Sequence, residues 1–275
     1  MPDAVPPVPR ADNWGARARL GLFIVGAEVV PEAEWSAMAP PGVSIHVARV
    51  SAPAPWAPWR ADRSGVELCD DLARGAAWFS AARLDAVVLA HSTSSVVGGE
   101  GWDAAARARL AEALPPGTAV ATNGADCTLA LRASGVRRPF VVLPPWFGDA
   151  ALEAARGYFA AQGLAPAALV RHRPAPEWAA VPPERLYAEG MHVRQRLDLL
   201  HDQILAERPP EADGALLVGT GLRCVGLIAS AEAALGRPVV TANQASLWHA
   251  LAQAGVPPAE VTGYGALFTR PVPDP

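Results

Sequence analysis

An imidazole and four hydroxyls follow one another directly in the segment His91–Ser95. A histidine titrates at about pH 6.5, and a positioned acid or base is commonly worth ~10²–10⁴ in rate. The hydroxyls and backbone N–H groups of all four residues Ser92–Ser95 are of the kind that holds a carboxylate or a developing enolate. Two structural interpretations stay open beside this one. The histidine can be hydrogen-bonded to a neighbouring hydroxyl, and the hydroxyls can cap the next helix while also binding a ligand.

A second polar segment, Gly219-Thr220-Gly221, follows the apolar run A-L-L-V. It does not match the spacing G-x-G-x-x-G, and the next predicted strand ends without the acid that would bind a ribose, so no nicotinamide or flavin cofactor is expected. The backbone of these residues instead predicts a binding loop for a substrate carboxylate. Trp146 follows the apolar run F-V-V-L and is predicted either to form a pocket wall or to cover a sheet edge.

Other catalytic patterns are weak or absent in the sequence. No G-x-S-x-G motif occurs, which disfavours a serine hydrolase. The six histidines show no pair at metal-ligand spacing, and the three cysteines lack a C-x-x-C spacing, so neither a metal site nor a disulfide framework is predicted. Cys127 and Cys224 are expected to pack in the core.

The two polar segments must be positioned by strands, because each follows a short apolar run. Such runs alternate with alanine-rich helical stretches, which predicts an α/β protein with parallel sheets covered on both faces. Ligands bind at the carboxyl ends of such strands. The strands are predicted at 20–25, 43–50, 85–90, 119–122, 140–143, 167–170, 215–218 and 238–241, and the helices at 70–82, 104–114, 128–133, 149–162, 183–208, 225–235 and 244–254.

Eight strands favour two lobes with a cleft between them. The first lobe is predicted to comprise residues 18–117 plus 225–275, and the second residues 118–224. The proline-rich residues 1–17 are predicted to be disordered or extended.

Length and composition limit the class of protein. With 275 residues, 51% hydrophobic and 18% charged, the chain is typical of a globular protein. The net charge of −4 provides no basic field, so no nucleic acid partner is expected. The apolar run after Arg19 contains Glu28 and is interpreted as a buried strand rather than a signal peptide. No run approaches the ~18 apolar residues of a membrane span, and a cytoplasmic location is expected.

Several words of the sequence resemble known enzymes in the same order and spacing. The words G-V-S-I-H-V-A-R-V, L-R-A-S-G-V-R-R and R-P-V-V-T-A-N-Q-A-S-L-W resemble maleate isomerases. The words G-A-L-L-V-G-T-G-L, L-G-R-P-V-V and G-Y-G-A-L-F are similar to arylmalonate decarboxylase. Both belong to the aspartate/glutamate racemase superfamily, and the resemblance covers roughly residues 18–268.

The resemblance implies two pseudo-symmetric α/β lobes, a cofactor-free cleft between them, a small carboxylic-acid substrate and a possible homo-oligomer. It also implies proton chemistry at the carbon next to a carboxylate, which racemases and maleate isomerases perform with one cysteine per lobe. Here His91 and Gly219 stand at the two cysteine positions. The remaining correspondences are with binding groups: Ser92 and Thr93 match a carboxylate-holding pair in reversed order, Thr220 and Gly221 match a donor loop, and Trp146 replaces a tyrosine.

Loss of both thiols disfavours thiolate addition and two-thiol racemisation. The leading hypothesis is therefore a cofactor-independent lyase or isomerase, decarboxylase-like, which passes through an enediolate with His91 as general acid/base. The alternatives are a relative that binds a small carboxylate without catalysis, and an enzyme that uses His91 and the adjacent hydroxyls for hydrolysis or elimination.

Overall fold

The computed structural model describes residues 14–273, which fold into two parallel four-stranded sheets covered by helices. This confirms the predicted α/β architecture of two similar lobes. Of the predicted disordered or extended segment 1–17, residues 1–13 lie outside the described residues, and residues 14–17 form a bend. None of the helices between residues 14 and 273 is long and apolar enough to cross a membrane.

The first sheet has the strand order β2-β1-β3-β4. Its two central strands, Ala18–Val25 and Ala86–Leu89, are almost entirely buried and rich in valine, leucine and alanine, as expected where both faces of a parallel sheet are covered, whereas its edge strands are only partly buried. The elements of this half are β1 (Ala18–Val25), α1 (Val30–Met38), β2 (Val43–Val50), α2 (Asp70–Ala82), β3 (Ala86–Leu89), α3 (Ser92–Gly98), α4 (Trp102–Ala111), β4 (Ala119–Thr122) and α5 (Asn123–Ala133).

The second sheet has the order β6-β5-β7-β8, which repeats the order of the first. Its elements are β5 (Pro139–Leu143), α6 (Asp149–Ala161), β6 (Ala168–Arg171), α7 (Pro183–Leu186), α8 (Leu197–Glu207), β7 (Gly214–Leu217), α9 (Ile228–Leu235), β8 (Val239–Thr241) and α10 (Ala242–Gln253). The helices that follow the last strand of each sheet, α5 and α10, pack against each other, so the two lobes share a continuous core.

The boundary between the sheets differs from the predicted division of the chain. Strand β4 pairs with β3 and therefore belongs to the first sheet, although residues 118–224 were expected to form the second lobe. Strand β8 pairs with β7 in the second sheet, although residues 225–275 were assigned to the first lobe. The helix after β8, α10, does contact β3 and β4 of the first sheet. Of the residues after 225, α10 therefore packs on the first sheet, whereas the hydrogen bonds of β8 place this strand in the second.

Three helical segments also differ from the sequence prediction. The single helix expected over 183–208 is divided into α7, a short 3-10 turn at Met191–Val193, and α8. The reason is a separate apolar cluster, in which Trp178, Leu186 and Met191 fold back against Trp146. Helices α1 and α3 were not predicted.

Candidate active site

A cavity of about 350 Å³ lies where loops from the two sheets meet. All seven site residues predicted from the sequence line it, together with Glu28, which was not predicted. The lining residues are Val25, Glu28, His91, Ser92, Thr93, Trp146, Phe147, Gly148, Ala151, Glu184, Tyr187, Gly219, Thr220 and Gly221. Equivalent loops of the two lobes contribute to it, because His91 and Gly219 each lie two positions after the end of β3 and β7.

His91 is half-buried and held firmly in place. Its ring stacks on Trp56 with 4.2 Å between the ring centroids, and its Nδ1 lies 2.8 Å from Ser94 Oγ. Among the described residues Nε2 has no hydrogen-bond partner, so it is the nitrogen available to a ligand. Burial lowers the pKa of His91 to about 3, because removal from water disfavours the charged ring. The imidazole is therefore neutral in the unliganded protein at neutral pH.

Three of the four hydroxyls after His91 are already used within the protein. Ser92 donates to Asn123 Oδ1 at 2.5 Å and accepts from the Gly219 N–H at 3.2 Å. Ser94 bonds His91 and Trp56 N. Ser95 bonds Asp103 and the Gly124 N–H.

None of these hydroxyls caps α3 or α4, the next helix predicted from the sequence, because the N-termini of both helices lack a side-chain cap. The predicted capping role is therefore wrong. Thr93 is the only one of the four whose hydroxyl has no partner among the described residues, so it remains free for a ligand.

The glycine loop presents backbone donors to the cavity. Gly219 adopts φ +98°, and a Cβ at this position would lie 2.3 Å from Pro144 Cγ, so no other residue fits without rearrangement. Its N–H is occupied by Ser92, whereas the N–H groups of Thr220 and Gly221 have no partner within residues 14–273. These two donors, together with the Thr93 hydroxyl, are suited to hold a carboxylate.

Glu28 is the functional candidate that sequence reasoning missed. It lies three positions after β1, just as Trp146 lies three positions after β5, so the two occupy equivalent places in the two lobes. Its side chain is 4% exposed, accepts from Thr220 Oγ1 at 3.1 Å, and lies so close to Gly221 that a Cβ there would be 2.1 Å from Oε1. Desolvation raises the pKa of Glu28 to about 8. The equal spacing of Glu28 and Trp146 from the ends of β1 and β5 could have indicated this residue. In the sequence, however, Glu28 stands within an apolar run that was interpreted as a buried strand.

Aromatic side chains form the far wall of the cavity. The Trp146 ring meets Tyr187 edge-on at 5.4 Å, and Tyr187 stacks on His192 at 4.3 Å. Trp146 therefore forms a pocket wall, as one of the two sequence interpretations proposed. The Tyr187 hydroxyl is buried without a hydrogen-bond partner within the described chain. We name the segment 173–196, which supplies Glu184 and Tyr187, the cover segment.

The cysteines do not contribute to this cavity. Cys127 and Cys224 are fully buried, as predicted, and burial raises the pKa of both thiols above its usual value. The Cys224 thiol bonds the Leu222 carbonyl oxygen. Within residues 14–273 no three His, Cys, Asp or Glu side chains are grouped to hold a metal ion.

A buried polar chain connects the site to the interface of the two lobes. Asn123 accepts from Ser92 and donates to Ser246 Oγ at 2.9 Å and to the Ala242 carbonyl oxygen at 2.8 Å. Ser246 then donates to Asp126, which bonds His249 Nδ1 at 2.6 Å. This arrangement follows from the strand register, because Leu89 pairs with Thr122 and places the starts of α3 and α5 side by side.

Comparison with solved structures identifies enzymes with the same fold. A cysteine-to-alanine variant of the maleate isomerase Iso from Pseudomonas putida S16, solved with maleate, superimposes with a TM-score of 0.75 at 19% identity, over 92% of this chain and 98% of that chain. An arylmalonate decarboxylase structure gives a TM-score of 0.72 at 23% identity, over 92% and 100% of the two chains.

A variant of the maleate cis-trans isomerase from Nocardia farcinica gives a TM-score of 0.64 at 20% identity, over 91% and 98% of the chains. That structure contains a covalently bound succinylcysteine intermediate. Among curated protein sequences no match was found.

The sequence itself matches one family model over most of its length. That model describes arylmalonate decarboxylase and matches residues 63–268, which include every predicted site residue from His91 to Gly221. The relatives are decarboxylases and isomerases that act on carboxylates, so an enzyme of this kind is indicated. The chain belongs to the arylmalonate decarboxylase family.

Proposed function

We propose that this protein is a cofactor-independent enzyme that forms an enediolate from a small carboxylic acid, in the manner of a decarboxylase, with His91 as general acid/base. The observation that carries the proposal is the position of His91. His91 lines the same cavity as Thr93, Thr220 and Gly221, which carry the unpaired donors. The Nε2 atom of its ring has no hydrogen-bond partner among the described residues. A proton carrier thus shares a largely apolar pocket with groups that can hold the anion.

The donors would act on the charge that develops during the reaction. In a substituted malonate, the carbon–carbon bond to one carboxyl group breaks and CO2 leaves. The electron pair moves into the remaining carboxylate, which becomes an enediolate held by the N–H groups of Thr220 and Gly221 and by the Thr93 hydroxyl. The carbon then takes one proton, so that the net reaction consumes one proton from solvent. The Tyr187 hydroxyl, which lacks a protein partner, is available as a further donor.

Binding of an anionic substrate would raise the pKa of His91, so that the ring gains the proton it needs to act as an acid. The unliganded imidazole is neutral because of burial. A dianionic substrate within a few ångströms favours the protonated ring and raises its pKa. His91 would therefore take up a proton on binding, deliver it from Nε2 to the substrate carbon, and regain it from solvent. Nδ1 stays bonded to Ser94 throughout, which fixes the orientation of the ring.

Two other reaction types fit the cavity less well. The Nocardia isomerase forms a covalent cysteine intermediate, whereas no cysteine lines this cavity. Hydrolysis through a Ser–His pair would require an accessible hydroxyl, but Ser94, the serine bonded to His91, is completely buried and does not line the cavity.

The test compares His91→Gln with His46→Gln. His46 lies on β2 and bonds Ser44 outside the cavity, so its replacement is a matched control. We expect substituted malonates to release CO2 with the wild type and with the control. The His91 variant should lose roughly 10²–10⁴-fold in kcat, the range for removal of a general acid/base, and should keep its thermal stability. Product formation is followed by NMR and by CO2 release.

An unchanged rate in His91→Gln would contradict the role of the imidazole. A wild type that is stabilised by dicarboxylates but forms no product would instead indicate a binding protein, because a ligand that binds the native state raises its stability by mass action.

A further inference from the structure

A second cavity, of about 660 Å³, lies apart from the active site and shares no lining residue with it. Its walls come mainly from helices α4, α5 and α10, and the last two of these pack against each other where the lobes meet. The apolar part of the wall includes Leu129, Ala252 and Val272. A largely apolar wall with a few polar side chains is typical of sites for small molecules. The polar side chains of this cavity therefore decide what it can bind.

Two guanidinium groups in this wall have no carboxylate partner. Arg107 Nε donates to the Asp103 carbonyl oxygen at 3.3 Å, and Arg132 Nη2 donates to the Gln162 carbonyl oxygen at 2.8 Å. Neither arginine forms a salt bridge with an aspartate or glutamate between residues 14 and 273. Arg109, the next arginine along α4, does form one, with Glu112. The remaining N–H groups of Arg107 and Arg132 are thus available to an anion from outside the described chain.

His249 adds a third nitrogen to the same wall. Its Nδ1 lies 2.6 Å from Asp126 Oδ1, and Asp126 Oδ2 accepts from Ser246 at 2.6 Å, so the ring is held from its buried side. Nε2 has no hydrogen-bond partner within residues 14–273, and it is accessible, unlike the enclosed, unpartnered Nε2 of His172. It is therefore the ring atom that a ligand in the cavity can reach, and an anion beside it favours the protonated, donating ring.

The charge on this wall is predominantly positive. Asp126 is the one acidic side chain that the described residues contribute to it, and this carboxyl is 1% exposed with both oxygens bonded inside the protein. Burial raises the pKa of Asp126, because removal from water disfavours the carboxylate. The two guanidinium groups, which are charged at neutral pH, therefore face the cavity without an equal number of negative charges.

We propose that the second cavity binds a phosphate monoester with an apolar body, the phosphate being held by Arg107, Arg132 and His249. A guanidinium group matches phosphate oxygens through paired N–H donors. A phosphate monoester carries about −1.5 to −2 charges and three acceptor oxygens at pH 7, which suits donors from three side chains better than the single charge of a carboxylate. The apolar wall accommodates the rest of the ligand. The proposal does not depend on the reaction at the active site.

The experiment measures the binding of phenyl phosphate by titration calorimetry at pH 7.5. The variants are Arg107→Gln and Arg132→Gln, and Arg109→Gln is the matched control, because it changes an arginine of the same helix that does not line the cavity. We expect each cavity variant to raise the Kd by ~10-fold or more, the usual effect of removing a hydrogen bond to a charged group. The control should bind as the wild type does. Benzoate, with the same aromatic body, should bind the wild type more weakly.

The outcomes also distinguish this cavity from the active site. Neither Arg107 nor Arg132 lines the active site, so both variants should decarboxylate at the wild-type rate. Phenyl phosphate that does not bind the wild type would overturn the proposal, as would an affinity that is lost in His91→Gln and unchanged in both cavity variants. Benzoate that binds as tightly as phenyl phosphate would overturn the assignment to phosphate. Should Arg107→Gln fail to fold, Arg132→Gln decides, because its side chain is exposed.

Discussion

The pKa values of Glu28 and His91 are shifted in opposite directions by the same physical cause. Burial disfavours charge, so the carboxyl keeps its proton to a higher pH and the imidazole loses its proton to a lower one. These displacements couple folding to pH, because a group that binds protons differently in the native and unfolded states makes stability depend on pH.

The Glu28 carboxyl should make the native state less stable as the pH rises. Its pKa is 4.5 in the unfolded chain and about 8 in the native protein. Between these values only the native state holds the proton, so the free energy of unfolding falls with rising pH and levels off above 8. We expect the difference in stability between wild type and Glu28→Gln to change by a few kcal/mol over this range. Urea denaturation at several pH values measures it, and a constant difference would contradict the buried, protonated carboxyl.

The sequence located His91 and the glycine loop because strand ends are readable from apolar runs. It did not reveal which hydroxyls were free, because the partners of Ser92 come from residues far along the chain, Asn123 and Gly219. A role for Glu28 was not predicted for the same reason, because its partner Thr220 lies in the other lobe. Contacts between distant residues depend on the packing of the lobes, which local patterns do not specify.

At the level of elements, the loop after β7 has a backbone that is incompatible with a thiol. Gly219 combines a left-handed φ with a close approach to Pro144. At the position where the resemblance implies a cysteine, this chain therefore has a loop that accommodates only glycine without rearrangement. Amphipathic helices such as α2 could be predicted from the sequence, whereas α3 is short and was not predicted.

Restoring a thiol at this position should fail for steric reasons. We expect Gly219→Cys to gain no activity and to lose stability, since left-handed backbone alone costs roughly 1–2 kcal/mol for a residue with a Cβ and the contact with Pro144 adds to it. The steric effect is measured separately with Gly219→Ala, which adds only a Cβ. Its control is Gly117→Ala, because Gly117 has a similar φ of +92° with no atom within 4 Å of its added Cβ. Equal thermal destabilisation by the two alanine substitutions would show that the Pro144 contact has no effect.

At the scale of the whole molecule, Asn123 joins the two lobes behind the cavity. It is completely buried and bonds Ser92 of the first lobe and both Ala242 and Ser246 on α10. The repeated strand order places α5 and α10 as equivalent helices at this interface, so a polar side chain here contacts both halves at once.

Asn123→Ala should therefore weaken the whole fold. Removing the amide leaves buried polar groups unpaired, which costs about 1–3 kcal/mol for each group. We expect a Tm that is lower by roughly 6–12 °C and a reduced rate, because the Ser92 hydroxyl that bonds Gly219 loses its anchor. Calorimetry and the CO2 assay measure the two effects. A stable variant with a normal rate would show that the lobes are held without this amide.

The polar chain from Ser92 through Asn123, Ser246 and Asp126 to His249 also restricts how molecules enter and leave. Hinging the halves apart would expose and break several buried bonds together, which makes this a costly route for every turnover. The cover segment, by contrast, packs through a small separate cluster around Trp178 and Met191. Displacement of Tyr187 and the rest of the cover segment would therefore widen the cavity at a lower cost than separation of the lobes.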